Sequence, residues 1–323
     1  MTESLIPQTH KRRSMMLLTA FGDHIRLGLQ DPRVVDVLVN PDGRLWLDHH
    51  GSGRSDTGHV ISASETERII RLVASHMRQE IHQNAPIISG ELPETGERFE
   101  GILPPLSPAP CFAIRKPAMR VYSLEDYVSD DILNQSQADA LKKAVIKRSN
   151  ILVVGGTGSG KTTLVNALLN ELSSLEERVV LLEDTRELQC QAQDCVSLRT
   201  KPGIASLRDL VRSTLRLRPD RIIVGEVRGA EALDMLKAWN TGHPGGITTL
   251  HANSAKAGLY RLEQLIQETV VSVPRYLIAD AIDLCVFIQG RGLSRRVETI
   301  GQLRDLTADG DYAFEEIHSE TNE

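Results

Sequence analysis

Hydrophobic and polar positions change their pattern near residue 150. Beyond it, short apolar runs, one of them interrupted by Thr248 and Thr249, alternate with longer segments whose apolar residues recur at helical spacing. The runs are Ile151–Val154, Val179–Leu182, Ile222–Val224, Ile247–Leu250 and Leu284–Ile288. Continuous apolarity of this kind predicts strands buried on both faces of a parallel sheet. Helices are expected to begin near Lys161, Ser206 and Ala230, with another over about 257–269. Ser206 with Asp209 approximates a capping box. Before residue 150 the pattern is mixed. Asp36–Asn40 and Arg44–Asp48 flank Pro41-Asp42-Gly43 as a hairpin would, and 64–77 carries a broad apolar helical face with Ser64 as a candidate N-cap. Pro and Gly punctuate 86–117 into short strands and turns. The chain therefore divides into a smaller α+β domain over 1–117, a linker over 118–134 with a short helix at 124–128, and a larger α/β domain over 135–323.

Composition narrows this only a little. At 323 residues two domains are expected, and 41% hydrophobic with 25% charged residues is ordinary globular usage. A net charge of −6 argues against a surface built wholly to hold nucleic acid. Cys111, Cys190, Cys195 and Cys285 form no C-x-x-C pair and read as reduced, mostly buried thiols. Lys11-Arg12-Arg13 before Met15–Leu18 imitates a signal peptide, but the apolar run is short and Asp23, His24 and Arg26 follow, so an amphipathic helix is expected. No apolar run reaches membrane-spanning length, so any membrane contact is expected to be peripheral.

The chemistry enters where Ile151–Val154 empties into Gly155-Gly-Thr-Gly-Ser-Gly-Lys-Thr162. This matches G-x-x-x-x-G-K-[ST] between a strand and a helix, the setting that pattern requires. Over Gly156, Thr157, Gly158, Ser159, Gly160, Lys161, Thr162 and Thr163, backbone N–H groups can converge on phosphates. Lys161 can reach the β/γ-phosphates and Thr162 can ligate Mg²⁺. The expected fold is thus a P-loop NTPase domain with a RecA-like parallel sheet, binding ATP and Mg²⁺. In open α/β sheets ligands lie beyond the carboxyl ends of the strands. There the sequence places Glu183, Asp184 and Glu187, then Glu226 and Arg228, then His251. Glu226 is the candidate to position the attacking water, or else an ion-pair partner of Arg228, which is itself a candidate nucleotide contact. Glu183, Asp184 and Glu187 are candidates for ligating Mg²⁺ or its waters. His251 is either a γ-phosphate sensor or a packed histidine. Arg98 and Arg115, beside glycine and proline breaks, read from pattern as surface charge. Arg208, Arg212 and Arg216 recur every four residues, as on a solvated helix face.

Taken together, Gly155–Thr162, Leu182–Glu187, Leu217–Gly229 and Thr241–Ser254 resemble, in order, the Walker A, Asp, Walker B and His boxes of the secretion-superfamily traffic ATPases of type II and type IV secretion. Among its branches they most resemble the conjugal-transfer (TrbB-like) ATPases of type IV secretion. A looser match over Gly96–Arg98, Pro104-Pro105 and Phe112–Pro117 extends this into the N-terminal domain. The resemblance implies a homohexameric ring in the cytoplasm, peripheral at the inner face of the cytoplasmic membrane. Its partners would be inner-membrane components of a secretion or conjugation channel, and its ATP hydrolysis would drive conjugative transfer or pilus biogenesis. It also implies that Arg98 and Arg115 contact phosphates, the reverse of the pattern-based reading. Direct nucleic-acid binding is not expected, since no nucleic-acid module is recognisable. Three other readings remain: a nucleotide-gated scaffold with little turnover, a pilus or type II secretion ATPase, and a nucleic-acid motor.

Overall fold

The computed structural model describes residues 5–49, 51–92, 95–117, 121–201 and 203–317. It separates into two compact units, 1–119 and 120–323. Unit 1 runs α1 (Leu5–Gln30), β1 (Val34–Val39), β2 (Arg44–His49), β3 (Gly53–Val60), α2 (Ala63–Met77), β4 (Ile87–Glu91), β5 (Arg98–Ile102) and β6 (Cys111–Arg115). Its strands form one antiparallel sheet in the order β3-β2-β1-β6-β5-β4. Phe21 and Ile25 from α1 and Ile69, Ile70 and Val73 from α2 close its core against Val37, Phe99 and Ile114. The α2 helix is capped by Ser62 with Glu65, not by Ser64. The buried face of Thr66, Ile69, Ile70, Val73 and Ala74 sets that register. The expected amphipathic segment is continuous with α1, which departs from helical geometry at Gly22 (φ 69°).

Unit 2 runs α3 (Leu124–Ser129), α4 (Gln135–Ile146), β7 (Ile151–Val154), α5 (Lys161–Asn170), β8 (Arg178–Glu183), β9 (Asp194–Arg199), α6 (Leu207–Thr214), β10 (Arg221–Val224), α7 (Glu231–Asn240), β11 (Ile247–Leu250), α8 (Ala255–Gln267), α9 (Arg275–Ala281), β12 (Leu284–Gln289), β13 (Arg296–Leu306) and β14 (Tyr312–Glu316). The sheet order is β14-β13-β12-β7-β11-β10-β8-β9. From β12 to β9 every pairing is parallel, while β13 and β14 extend the edge in antiparallel fashion. Side chains alternate between the two faces as strand geometry demands. Leu152 and Val154 pack with α6 to α9, whereas Ile151 and Val153 pack with α3 to α5. The stretch expected as a linker is structured from residue 121 onward. Leu124 and Tyr127 of α3 are buried in the second face's core, while 118–120 lie outside the described residues.

Close packing fixes the loop before β11. A Cβ on Gly246 would lie 2.0 Å from the Trp239 ring, whose Nε1 donates to the Ile222 carbonyl at 3.0 Å. Glycine is needed there so that α7 can lie against the sheet. The stripe Arg208/Arg212 has a structural use. Arg208 Nε and Arg212 Nε donate to the two oxygens of Asp234 on α7, at 2.6 and 2.9 Å, joining α6 to α7.

Burial alone would raise the Asp234 pKa, but hydrogen bonds from Arg212 and Arg208 outweigh it and hold the carboxyl below its usual range. A carboxylate with a depressed folded pKa stabilises above its unfolded value and loses that contribution as pH falls through the folded one. Asp234→Ala is therefore expected to lower the stability of unit 2 by about 1 kcal/mol near neutrality, since both arginines stay partly solvated. The deficit should shrink in acid, measured as the shift in thermal unfolding midpoint at neutral and low pH.

Candidate functional site

The site is built on the carboxyl edge of β7, β8, β10 and β11. After β7 the chain turns through Gly158 (φ 76°) and Gly160 (φ 95°), left-handed values that only glycine adopts without strain. Gly160 is the N-cap of α5 and supplies no side-chain acceptor, so the first N–H groups of the helix have no side-chain cap. A helix start of this kind attracts phosphate through its N–H groups and its dipole. Gly156, Thr157 and Gly158 are exposed, and Ser159 is buried beneath them. Thr162 and Thr163 are half-buried in the first turn of α5.

Lys161 is 7% exposed and folds back on its own loop, donating to the carbonyls of Gly155 at 3.1 Å and Gly156 at 2.9 Å. Burial lowers its pKa, and the charges of Glu226 and Glu187 oppose that shift. Its Nζ also lies 3.4 Å from His251 Nδ1, and His251 Nε2 lies 3.0 Å from Glu226 Oε1. A neutral imidazole with its proton on Nε2 suits both neighbours, an ammonium on one side and a carboxylate on the other. Burial lowers the His251 pKa, the charge of Lys161 lowers it further, and Glu226 resists. Glu226 is gripped on its other oxygen by Arg228 Nη2 at 2.5 Å, and this hydrogen bond raises the arginine pKa. Sequence reasoning offered Arg228 both as a nucleotide ligand and as the partner of Glu226; the structure places it on Glu226.

The acidic loop after β8 divides its labour. Glu183, 2% exposed, uses Oε1 to accept the N–H groups of Glu187 at 2.8 Å and Leu188 at 2.7 Å. It is a loop anchor in this structure, a different task from the metal ligation its position suggests. Asp184 accepts from Thr200 Oγ1 at 2.9 Å and stands 3.9 Å from Arg228. Glu187 is the carboxylate nearest the phosphate loop, with Oε2 3.3 Å from Thr162 Oγ1.

For nucleotide and Mg²⁺ the donor set fits. Glu226 Oε1 is buried, 3.0 Å from His251 Nε2, at the carboxyl edge where a water would be needed. No three His, Cys, Asp or Glu side chains converge as a metal group among those residues. Mg²⁺ suits such a place, because it is usually held by one or two protein oxygens together with phosphates and water.

Two arginines escaped sequence reasoning. Arg291 and Arg295 follow β12, the neighbour of β7, and cover the loop from the side away from Glu226. Arg291 Nη2 donates to the Thr157 carbonyl at 2.9 Å, and a Cβ on Gly160 would meet Arg295 Nε at 2.8 Å. More than 130 residues separate Arg291 from its partner, and only the sheet order could have revealed it. In unit 1, Arg98 and Arg115 are direct cross-strand partners on β5 and β6. Arg115 makes a bidentate pair with Asp36 at 2.8 and 3.1 Å. The Asp36 carboxylate thus offsets the charge of Arg115 where it faces Arg98 across the sheet.

The His251 geometry makes a checkable statement. The folded state binds the imidazole proton less tightly than the unfolded chain does. This site therefore opposes folding as pH falls through the ordinary histidine range and is silent above it. In an NMR titration His251 should titrate below an ordinary histidine, and Lys161→Met should move it partway back. An unchanged value in that variant would place Lys161 elsewhere.

Comparison with known proteins identifies the family. The family model described as "Type II/IV secretion system protein" matches residues 58–291. "Conjugal transfer protein TrbB" of Rhizobium radiobacter is 46% identical over 91% of this chain and 91% of its own. "Probable conjugal transfer protein TrbB" of Sinorhizobium fredii is 45% identical over 95% of this chain and 94% of its own. Among solved structures, the pilus retraction motor PilT with bound ADP superposes with a TM-score of 0.61 at 17% identity, covering 93% of this chain and 83% of that one, a likeness of fold. With its loop, acidic walls and histidine in one edge, the chain belongs to the type II/IV secretion system protein family, alongside relatives named for conjugal transfer.

Proposed function

We propose that this chain is a Mg²⁺-dependent ATPase that works as a homohexameric ring and energises conjugative transfer through a type IV secretion system. One observation carries the reading. Lys161, Glu226 and His251 meet within 3.0–3.4 Å contacts beside an uncapped helix N-terminus. That is the set hydrolysis of a phosphoanhydride needs: a cation for developing charge, a carboxylate for water, and a group that joins them. When ATP binds, Lys161 exchanges the Gly155 and Gly156 carbonyls for phosphate oxygens. Its departure from His251 changes what His251 offers Glu226. Glu226 then aims the water once Arg228 yields its hold. Thr162 and Glu187 are the residues that would hold Mg²⁺ or its waters, and the ion would there supply charge neutralisation for the phosphates, with Asp184 acting from farther out through Arg228. Arg98 and Arg115 are proposed to approach the nucleotide from the N-terminal unit.

No helix among the described residues is long and apolar enough to cross a membrane. A cytoplasmic place at the inner membrane face, with inner-membrane channel components as partners, forms part of this proposal. A nucleotide-gated scaffold remains the second reading, favoured by the 2.5 Å grip of Arg228 on Glu226.

The test compares wild type, Glu226→Gln and Lys161→Ala with and without DNA, over a range of protein concentrations. Glu226→Gln is expected to lose turnover by about a hundred-fold or more while still binding ATP. Lys161→Ala should lose both. Wild-type turnover should rise with protein concentration and ignore DNA. Full activity in Glu226→Gln would sink the water-positioning role, and strong DNA stimulation would favour a nucleic-acid motor. Native mass of the nucleotide-bound particle reads the subunit number.

A further inference from the structure

The acidic loop that carries Glu187 has no regular secondary structure, yet its backbone is held at four polar groups within three residues. Glu183 takes two of them, the N–H groups of Glu187 and Leu188. Asn166 takes the other two. From the middle of α5, and only 2% exposed, its Nδ2 donates to the Glu187 carbonyl at 3.0 Å and its Oδ1 accepts from the Gln189 N–H at 2.9 Å. A side-chain amide that engages the carbonyl of one residue and the N–H of the residue two further on reproduces a parallel-strand bridge to the residue between. That residue is Leu188, 5% exposed in the core beneath.

Asparagine is a poor choice for a helix interior unless its amide has work outside the helix. Here both ends of the amide are committed to one segment. Thr162 and Asn166 stand four residues apart and so share one face of α5. Thr162 meets the carboxylate of Glu187, and Asn166 meets its backbone. The helix that begins at the phosphate loop thus sets where Glu187 can stand, through two independent contacts.

We infer that Asn166 is a positioning residue: it straps the acidic loop to the phosphate-loop helix and so fixes the Glu187 carboxylate beside Thr162, where the metal and its water are oriented. This rests on the ATPase reading for its use in turnover, but not for its structural content. Groups that orient residues around a metal commonly cost ten- to hundred-fold in affinity or rate when removed. Loss of the strap is therefore expected at the metal side of the site and not at the phosphates.

Three measurements on Asn166→Ala decide it. In the nucleotide-free protein, amide exchange at Glu187–Gln189 should rise about ten-fold, with unit 1 unchanged. Calorimetry with ADP should show nearly wild-type affinity without Mg²⁺ and a gain from Mg²⁺ reduced by about ten-fold. In steady state, kcat should fall about ten- to hundred-fold with KM little changed, and the half-saturating Mg²⁺ should rise. In a Glu187→Ala background the same substitution should cost little more, because the strap acts through Glu187. Asn166→Gln keeps an amide but moves it by one methylene, and should reproduce each change at smaller size even where the alanine variant folds poorly. Unchanged exchange at Gln189, an unchanged Mg²⁺ gain, or losses that multiply in the Glu187→Ala background would each overturn the assignment. A wild type without turnover would count against the ATPase reading alone, since exchange and ADP binding are read without it.

Discussion

The start of α5 is a helix end with nothing of its own to cap it, and the rest of unit 2 is arranged around that deficit. A serine or aspartate at the cap would satisfy the first N–H groups and remove the reason for an anion to bind. Gly160 leaves them open, and its left-handed backbone is tolerable only because glycine has no Cβ. The surrounding cations then become intelligible. Lys161 answers to the loop's own carbonyls, Arg291 to another of them, and Arg295 packs over Gly160. All three sit against a loop shaped for negative charge: Lys161 and Arg291 take carbonyls of the loop as substitute partners, while Arg295 Nε is buried without a hydrogen bond among the described residues.

A second constraint comes from the sheet. Strands with aliphatic side chains on both faces have no polar surface except at their ends, so acids, arginines and histidine are concentrated at one edge. Neighbouring strands then decide which of them meet. Since β11 lies between β7 and β10, His251 stands between Lys161 and Glu226. Movement of any one of these three alters the electrostatics of the other two. Asn166 extends the same linkage to β8, so that helix, loop and three strands form one polar unit.

What was legible in the sequence follows from burial. The five interior strands were visible because unbroken runs such as Ile222–Val224 have no other explanation. The edge strands β9 and β3 were not, because β9 alternates half-buried with exposed residues and β3 is almost wholly exposed. The long β13 was missed for a similar reason, as it carries Arg296, Glu298, Arg304 and Asp305 among its apolar residues. In the site, residues next to the phosphate loop or at strand ends could be listed from motif and position. Their partners could not: that Glu183 serves backbone N–H groups and that Arg208 and Arg212 share Asp234 depends on side-chain reach. Asn166 was invisible because a single amide inside an apolar helical stripe looks like a gap in the pattern.

The packing of Trp239 over Gly246 has a practical side. The chain has two tryptophans, Trp46 on β2 in unit 1 and Trp239 on α7 in unit 2. Each compact unit therefore contains its own native fluorophore, and a single conservative replacement would silence one without touching the other. Trp239, wedged against the turn into β11 and tied to Ile222 near the start of β10, lies at the amino ends of these strands, opposite the edge that carries Glu226 and His251. Its emission offers a label-free optical channel on the packing of α7 against β10 and β11, with Trp46 reporting on unit 1.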